Sequence, residues 1–350
     1  MRPPPPPGVQ IDLDWFDISQ LDTIKSPKIL CELRNAGKIG FVDYMRAICF
    51  LRATPTPLDL DSIKVLYPEA SDPIISPAAV LGLLKSPPSA LRLEQGTASV
   101  RTYKISDTML VKAGSFREAR TMLFIKEHTN IPVPTIHLVF VTGEREKEET
   151  YIVMEYISGG DLQHQWENLA KSERSAVVSQ LKQYLHELRT ITPPSQTPGP
   201  IDGGRCRGHW FSELDGGPFE SHAQLVAWWN ERLEKTFSRN RDPERDSEVK
   251  ESDLLRADHP LVFTHGDLLP RNLILCFGTL WIVDWELAGW YPWYLEYVSI
   301  ADDCGNPEYP TPMDWASAVL PGLPNFDREY AALKRVRSEI VLVPFGKHPC

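Results

Sequence analysis

Three short apolar stretches between residues 260 and 284 constrain the fold of this chain more than any other feature. They cover residues 261–264, 273–276 and 280–283. Each has the length and apolar character of a buried β-strand. Gly278 separates the second from the third, which predicts a hairpin. Because both strands of a hairpin reach the same edge, we expect Asn272 and Asp284 to lie close together.

Polar residues at fixed spacing flank these strands. A His-Gly-Asp sequence ends at Asp267, Asn272 follows five positions later, and Asp284 follows the hairpin. An aspartate, an asparagine and a second aspartate in this order are the residues that kinase chemistry requires. We therefore predict that Asp267 is catalytic and orients an attacking hydroxyl, and that Asn272 and Asp284 bind Mg²⁺. The alternative for Asp284 is a cap on a turn at the end of a strand.

The residues beside Asp267 are expected to shape the loop. His265 should hydrogen-bond to backbone rather than ligate a metal. Gly266 would permit a φ value that other residues avoid, and Pro270 would stiffen the loop. For Arg271 three interpretations stay open: a phosphate contact, an ion pair with an acidic neighbour, or a solvated surface position.

A lysine and a glutamate in the N-terminal half form a second candidate pair. Lys112 ends a short apolar strand, and Glu118 stands six positions later in a predicted helix over residues 116–128. In a kinase a glutamate on this helix holds the lysine, whose ammonium contacts the α- and β-phosphates. We therefore predict that both residues serve nucleotide binding. Taken alone, Lys112 would be an edge charge and Glu118 an acid placed favourably near a helix N-terminus.

Two further segments are assigned to the nucleotide. Gly96 lies in residues 94–99, whose backbone N–H groups are expected to cover the phosphates. Met154 and Tyr156 fall where a two-lobed kinase has its hinge, so backbone groups there are expected to bind adenine, with Met154 as an apolar neighbour. The chain has no Gly-x-x-x-x-Gly-Lys-Ser/Thr motif, which excludes a Walker-type NTPase.

The chain divides into four segments by pattern. We predict a disordered proline-rich tail over 1–10, a helical N-terminal extension over 11–90, a small sheet with one helix over 91–157, and a mainly helical part with substrate-binding helices and the catalytic loop over 158–350. The tail could instead be a ligand for a proline-binding module. In the extension, helix starts are predicted at two Ser-Pro pairs, Ser26-Pro27 and Ser76-Pro77. This order predicts an α+β, two-lobed protein.

Composition argues against several classes of partner. The formal net charge of -10 speaks against nucleic-acid binding. The six cysteines show no Cys-x-x-Cys spacing, which favours free thiols in a reducing compartment, so we predict a cytoplasmic protein. The N-terminus lacks the apolar segment of a secretory signal. No apolar run reaches the ~18 residues that span a bilayer, so no membrane partner is expected.

Together these residues resemble the aminoglycoside phosphotransferase family of the protein-kinase-like superfamily. The segments that carry the resemblance are Val111-Lys112, Glu118-Ala119, residues 131–134, Met154-Glu155-Tyr156, residues 265–272 and residues 282–286. Residues 288–297 are similar to a fungal-type branch. The resemblance covers about 91 to 300. It implies a kinase-like fold, ATP and Mg²⁺ as cofactors, and phosphorylation of a small-molecule hydroxyl, with Asp267 as catalytic base.

Two features depart from the family, and two other functions stay open. The first 90 residues lie outside its core, and the chain after Asp284 is short for the helices that complete a substrate pocket. A protein kinase would carry His-Arg-Asp and Asp-Phe-Gly, whereas here Gly266 and Trp285-Glu286 stand at those positions. A catalytically weak scaffold is the second alternative. Candidate acceptor-pocket carboxylates, each more simply explained as a surface charge, are Glu213, Asp215, Glu220, Glu231 and Glu286. Trp210, Trp228 and Trp229 could form an aromatic wall for an amine or belong to the core.

Overall fold

The computed structural model describes most of the chain from residue 102 onward and parts of what precedes it. The described residues are 33, 63–68, 74–85, 102–143, 148–211, 216–239, 251–302 and 311–342. The predictions for residues 1–10, for the helix opened by Ser26-Pro27, for Gly96 and for the acceptor-pocket candidates Glu213 and Asp215 lie outside them.

The N-terminal lobe is a five-stranded antiparallel sheet with helices packed against it. Its strands are β1 (Lys64–Tyr67), β2 (Thr102–Lys104), β3 (Met109–Gly114), β4 (Ile136–Thr142) and β5 (Glu149–Glu155), in the spatial order β1-β4-β5-β3-β2. Its helices are α1 (Pro77–Lys85) and α2 (Phe116–His128). Helix α2 begins where the Ser115 hydroxyl accepts the N–H of Glu118 at 3.3 Å, as an N-cap does. The helix predicted over residues 116–128 is confirmed.

The segment predicted as a helical extension contributes a strand to this sheet. In β1, Lys64 lies opposite Val141 and Val65 opposite Phe140 of β4. The prediction of helices throughout residues 11–90 is therefore wrong at this strand. Its partner lies beyond α2 in the chain, so the pairing depends on tertiary contacts that a local pattern does not encode. The helix predicted at Ser76 is present as α1, with the serine hydroxyl accepting a backbone N–H at 3.2 Å.

The C-terminal lobe is mainly helical. Its helices are α3 (Leu162–Gln165), α4 (Lys171–Thr190), α5 (His222–Arg239), α6 (Tyr294–Ala301), α7 (Trp315–Val319) and α8 (Asp327–Leu342). Its strands are β6 (Gly160–Asp161), β7 (Gly199–Pro200), β8 (Leu261–Thr264), β9 (Leu273–Cys276), β10 (Thr279–Ile282) and β11 (Gly289–Pro292). They form two sheets of three strands, β10-β9-β6 and β7-β11-β8. The three strands predicted in this region are confirmed, the last one shifted by one residue.

The predicted hairpin brings the two proposed metal ligands to one edge. β9 and β10 pair antiparallel around a two-residue turn, in which Phe277 and Gly278 have φ values of 47° and 78°. Two consecutive positive φ values are typical of the turn type that suits the twist of a hairpin. Beyond the pair, the N–H of Val283 donates to the carbonyl of Asn272 at 3.0 Å. Asp284 therefore directly follows Val283, whose backbone is hydrogen-bonded to Asn272.

Two apolar clusters hold this lobe together. One joins α2 and the sheets to α4, and the other packs α5 against α6 and α8 through Trp229, Leu233, Leu333 and Val336. Among the residues that the structure describes after Asp284 are three helices, α6, α7 and α8, so the expectation of little C-terminal helical structure is wrong. Trp210 and Trp229 are buried in the second cluster and not in an open aromatic wall. Within the described residues, no helix is both long and apolar enough to cross a membrane.

Candidate active site

One lysine of the sheet lobe connects the two lobes. The Lys112 ammonium on β3 lies 2.8 Å from a carboxylate oxygen of Glu118 on α2 and 2.8 Å from one of Asp284 in the helical lobe. Glu118 is almost completely buried, and Asp284 is partly exposed. A bond this short from an ammonium to a carboxylate is a charge-assisted hydrogen bond. The structure therefore brings together three of the residues that the sequence predicted around the phosphates and the metal.

Asp284 holds its position in a sparsely populated backbone conformation. Its φ and ψ are 66° and 57°, in the left-handed region, which a non-glycine residue adopts at a cost of roughly 1–3 kcal/mol. This conformation ends β10 and begins the 3₁₀ turn Trp285–Leu287. The buried Trp285 ring fixes that turn, with its indole N–H donating to Ile282 at 3.0 Å. The cost of this conformation supports a role for Asp284 in the site, and not only as a cap on the turn.

The loop before the hairpin holds Asp267 from two sides. Arg271 Nη2 lies 2.7 and 2.8 Å from the two carboxylate oxygens of Asp267. The side-chain NH₂ of Asn272 donates to Asp267 Oδ2 at 2.9 Å and to its backbone carbonyl at 2.8 Å. The amide oxygen of Asn272 is thereby left for another ligand. Of the three interpretations of Arg271, the ion pair with an acidic neighbour is the one that the structure shows.

A buried glutamate on α6 anchors the same loop through its backbone. The two carboxylate oxygens of Glu296 on α6 accept the N–H groups of His265 at 2.6 Å and of Gly266 at 3.2 Å. His265 Nε2 faces the carbonyl of Val283 at 3.0 Å, and its Nδ1 accepts the N–H of Asp267 at 3.3 Å. Burial lowers the pKa of His265, in keeping with a neutral ring that donates once and accepts once. His265 shapes the loop through backbone bonds, as predicted.

Gly266 and Glu296 show what the sequence could and could not indicate here. Gly266 has a φ of 83°, and a Cβ at this position would lie 3.1 Å from the Leu287 carbonyl, so the predicted need for glycine is confirmed. The sequence analysis missed Glu296. Its signal was an acidic residue inside the otherwise apolar helix α6, since a charged side chain is rarely buried without a partner.

The Lys112 ammonium lies among three acidic side chains, those of Asp284, Glu118 and Glu286. Burial alone would lower the pKa of Lys112, but Asp284, Glu118 and Glu286 outweigh it and raise that pKa well above its usual range. Burial raises the pKa of Glu118 to about 7, against the opposing effect of Lys112. For Asp284 burial favours the neutral form, yet the Lys112 ammonium holds the pKa below its ordinary value. Burial and the neighbouring Asp284 raise the pKa of Glu286.

The donor set fits a divalent cation with a preference for oxygen. Carboxylate oxygens of Glu118, Asp284 and Glu286 lie within 4.8 Å of one another. Among the described residues, Glu118 Oε2 is a buried oxygen with no hydrogen-bond partner. Together with the amide oxygen of Asn272, these are the hard ligands that Mg²⁺ takes in proteins. Glu286 was a candidate for the acceptor pocket, and the structure places it beside Asp284 instead.

The segment predicted as the hinge, Met154 to Tyr156, has two of its backbone donors already used. The N–H of Tyr156 donates to the Thr108 carbonyl at 2.8 Å, and that of Glu155 donates to Thr135 at 2.8 Å. Met154 is buried at the end of β5. Tyr156 can therefore offer adenine its carbonyl but not its N–H, and its ring lies under the Lys104 ammonium at 4.6 Å.

A loop in which the sequence had indicated only Trp210 forms one wall near Asp267. It follows β7 and covers residues 201–211, with His209 Nε2 3.9 Å from Asp267 Oδ1. Gly208 in this loop approaches Leu287 so closely that a Cβ would lie 2.9 Å from its side chain. No sequence signal identified His209, because its neighbour Asp267 is far away along the chain. Of the other acceptor-pocket candidates, Glu220 is exposed, and Glu231 pairs with Lys235 along α5.

In this site a lysine of the sheet lobe faces Asp284, and the loop that carries Asp267 and Asn272 lies before the hairpin. This arrangement defines a kinase-like phosphotransferase. Comparison with known families agrees, since residues 90–333 match the phosphotransferase enzyme family. The match covers well over half of the chain, so the chain belongs to this family. No curated protein matches the sequence. The similarity to a fungal-type branch stays a prediction.

Several solved structures are similar to this chain at low identity. The streptomycin-ATP-APH(2")-IIa ternary complex is 15% identical, covers 75% of this chain and 86% of its own, and has a TM-score of 0.44. The GDP complex of wild-type aminoglycoside 2'-phosphotransferase-IIIa is 13% identical, with coverages of 76% and 87% and a TM-score of 0.43. A thermostable mutant of APH(4)-Ia with AMP-PNP and hygromycin B is 16% identical, with coverages of 75% and 89% and a TM-score of 0.42. The ligands in these structures belong to those proteins.

Proposed function

We propose that this phosphotransferase uses ATP and Mg²⁺ to phosphorylate a hydroxyl group of a small molecule. The observation that carries the proposal is the position of Lys112, 2.8 Å from both Glu118 and Asp284 across the two lobes. A lysine held in this way is placed to contact nucleotide phosphates. Asp267 lies in the adjoining loop with Asn272 bonded to its carboxylate.

Each residue of the site has a distinct task in the proposed reaction. Asp284 and the amide oxygen of Asn272 would hold Mg²⁺, which supplies charge neutralisation at the phosphates when bound. Lys112 holds the phosphates, and Glu118 keeps Lys112 aimed at them. Asp267 orients the acceptor hydroxyl and receives its proton.

A small-molecule acceptor is favoured over a protein acceptor by the loop itself. A protein kinase carries arginine after the histidine of this loop, whereas Gly266 here takes a positive φ against Leu287. Helices α3, α4 and α5 occupy the stretch of chain between the hinge and the loop. A weak or inactive scaffold would also keep this fold, and the complete set of charged residues speaks for catalysis.

Binding and slow hydrolysis of ATP test the proposal without knowledge of the acceptor. We expect ATP to bind in a magnesium-dependent manner, measured by calorimetry, and to be hydrolysed slowly. A panel of amino-sugars, sugars, choline-like amines and lipid-linked alcohols should then contain a compound that accelerates ADP release. A protein that neither binds nor hydrolyses ATP with Mg²⁺ would contradict the proposal.

Replacement of Asp267 separates the chemical step from nucleotide binding. Asp267→Asn removes the carboxylate that orients the acceptor, so we expect turnover to fall by about 10²–10⁴-fold. ATP affinity should change little, because Asp267 contacts the acceptor and not the phosphates. Asp258→Asn removes a carboxylate that is mostly exposed and serves as the matched control. Wild-type turnover in Asp267→Asn would show that the role is wrongly assigned.

A further inference from the structure

The loop over residues 201–211 is held in place from both lobes. Arg117 on α2 donates to Asp202 at 2.8 Å and to the Arg205 carbonyl at 2.9 Å. The Cys206 N–H donates to the Gly216 carbonyl at 2.6 Å. Gly204 lies so close that a Cβ there would meet the Arg117 guanidinium at 2.6 Å. These contacts fix the first half of the loop against the helix that carries Glu118.

The second half of the loop is equally well anchored. The Trp210 indole N–H donates to the Ser299 hydroxyl at 3.1 Å, and its carbonyl accepts the Trp229 indole N–H at 2.9 Å. Trp210 and Phe211 are both buried. His209 lies between these anchors and keeps 36% of its side-chain surface exposed. The ring is thus both held in place and reachable by a substrate.

The distance from His209 to Asp267 leaves room for a single atom. His209 Nε2 and Asp267 Oδ1 are 3.9 Å apart, which is too long for a direct hydrogen bond. One oxygen can lie about 2.8 Å from both atoms, which is the usual length of such bonds. Burial, in competition with Asp267, lowers the pKa of His209, so the ring is neutral and can carry one N–H.

We infer that His209 is a second residue that contacts the acceptor hydroxyl, with the hydroxyl oxygen placed between His209 Nε2 and Asp267 Oδ1. This rests on the proposed kinase function. The hydroxyl donates its hydrogen to Asp267 and accepts the N–H of His209. In this arrangement the attacking oxygen is fixed in direction as well as in position.

Apart from ATP and Mg²⁺, the transfer needs no further group. The acceptor oxygen forms a bond to the γ-phosphorus of ATP, and the bond from that phosphorus to the β–γ bridging oxygen breaks, which leaves ADP. The hydroxyl proton passes to Asp267. His209 keeps its proton throughout and acts by orienting the acceptor.

ATP hydrolysis tests this inference without a known substrate, because water can occupy the position of the acceptor hydroxyl. We would measure magnesium-dependent ATP hydrolysis and ATP affinity for the wild type, His209→Ala and His209→Gln. His209→Ala should lower the turnover number about 10- to 100-fold, the range expected for the loss of one orienting contact, with the KM for ATP unchanged. His209→Gln places an amide N–H near the former Nε2 and should restore part of the turnover. His186→Ala, at an exposed position on α4, is the control.

The outcomes separate this inference from the proposed function. Lower turnover with unchanged ATP affinity, together with recovery in His209→Gln, supports the inference. Wild-type turnover in His209→Ala, while Asp267→Asn is impaired, overturns it and leaves the proposed kinase function standing. An equal loss in His209→Ala and His209→Gln, or a loss of ATP affinity in both, also overturns it, since the residue would then act on the fold alone. A wild type that neither binds nor hydrolyses ATP removes both.

Discussion

The acidic side chains near the catalytic loop differ in the groups that face their carboxylates. Asp284 faces the Lys112 ammonium, and Asp267 faces the Arg271 guanidinium. The Glu296 carboxylate accepts two backbone N–H groups, and the Arg189 guanidinium adds a favourable charge. Because N–H dipoles compensate a buried charge less than a full positive charge in direct contact does, burial still disfavours the ionised form of Glu296.

Glu296 should therefore make stability depend on pH. Burial raises the pKa of Glu296 from 4.5 to about 7, although both N–H donors oppose it. The folded protein then binds this proton more tightly than the unfolded chain does. The free energy of unfolding therefore falls as the pH rises from 4.5 to about 7. The contribution of this group is roughly 3 kcal/mol. Glu296→Gln cannot ionise and should lack this part of the pH dependence.

Chemical denaturation of Glu296→Gln and wild type between pH 5 and pH 8 tests this expectation. The variant should gain stability relative to the wild type as pH rises, by roughly 2–3 kcal/mol over the range. Glu220→Gln, at an exposed acid, controls for the loss of a charge. Parallel curves for Glu296→Gln and wild type would show that Glu296 does not titrate in this window.

At the scale of elements, the catalytic loop and the hairpin behind it depend on two glycines in the same backbone conformation. Gly266 has a φ of 83° and Gly278 a φ of 78°. A Cβ on Gly266 would meet the Leu287 carbonyl at 3.1 Å, whereas one on Gly278 would have no atom within 4 Å. The two positions thus share a backbone requirement and differ in their surroundings.

Alanine at the two glycines should separate stability from activity. Gly266→Ala and Gly278→Ala should each lose about 1–2 kcal/mol of unfolding free energy, since a side chain disfavours positive φ. Only Gly266→Ala should also lose ATP turnover, because relief of its contact with Leu287 shifts the adjacent Asp267. Denaturation curves and ATP hydrolysis measured side by side check both parts. Equal activity in the two variants would mean that the loop tolerates the shift.

The elements that the sequence predicted are those with strong local signals. The hairpin followed from two apolar runs and Gly278, and α2 followed from an amphipathic pattern after the break at Ala113-Gly114-Ser115. The strand β1 and the residue His209 could not be predicted, because each is placed by a partner far away in the chain. Arg271 was left open, since an arginine four positions after an aspartate suits several geometries. The segment with Gly96 stays a prediction.

At the scale of the whole molecule, the two lobes are joined by more than the hinge. The Ile282 N–H donates to the Pro132 carbonyl at 3.0 Å, and the Asn130 N–H donates to Glu187 at 3.0 Å. Arg117 forms a further link through Asp202. All three links start from α2 or from the segment that follows it. The orientation of the helix that carries Glu118 is therefore set by the C-terminal lobe.

Loss of the Arg117 link should weaken nucleotide binding more than it weakens the fold. Arg117→Met keeps the apolar stem of the side chain and removes both hydrogen bonds to the loop. Because Asp202 is partly exposed, we expect at most about 1 kcal/mol of lost stability. Because Glu118 would hold Lys112 less firmly, the KM for ATP should rise several-fold. The upper limit is about tenfold, which corresponds to about 1.4 kcal/mol of binding free energy. Lys126→Met removes a cation from the same helix whose contact, with Thr135, stays within the sheet lobe. A KM for ATP that rises equally in both variants would assign the effect to charge and not to the link between the lobes.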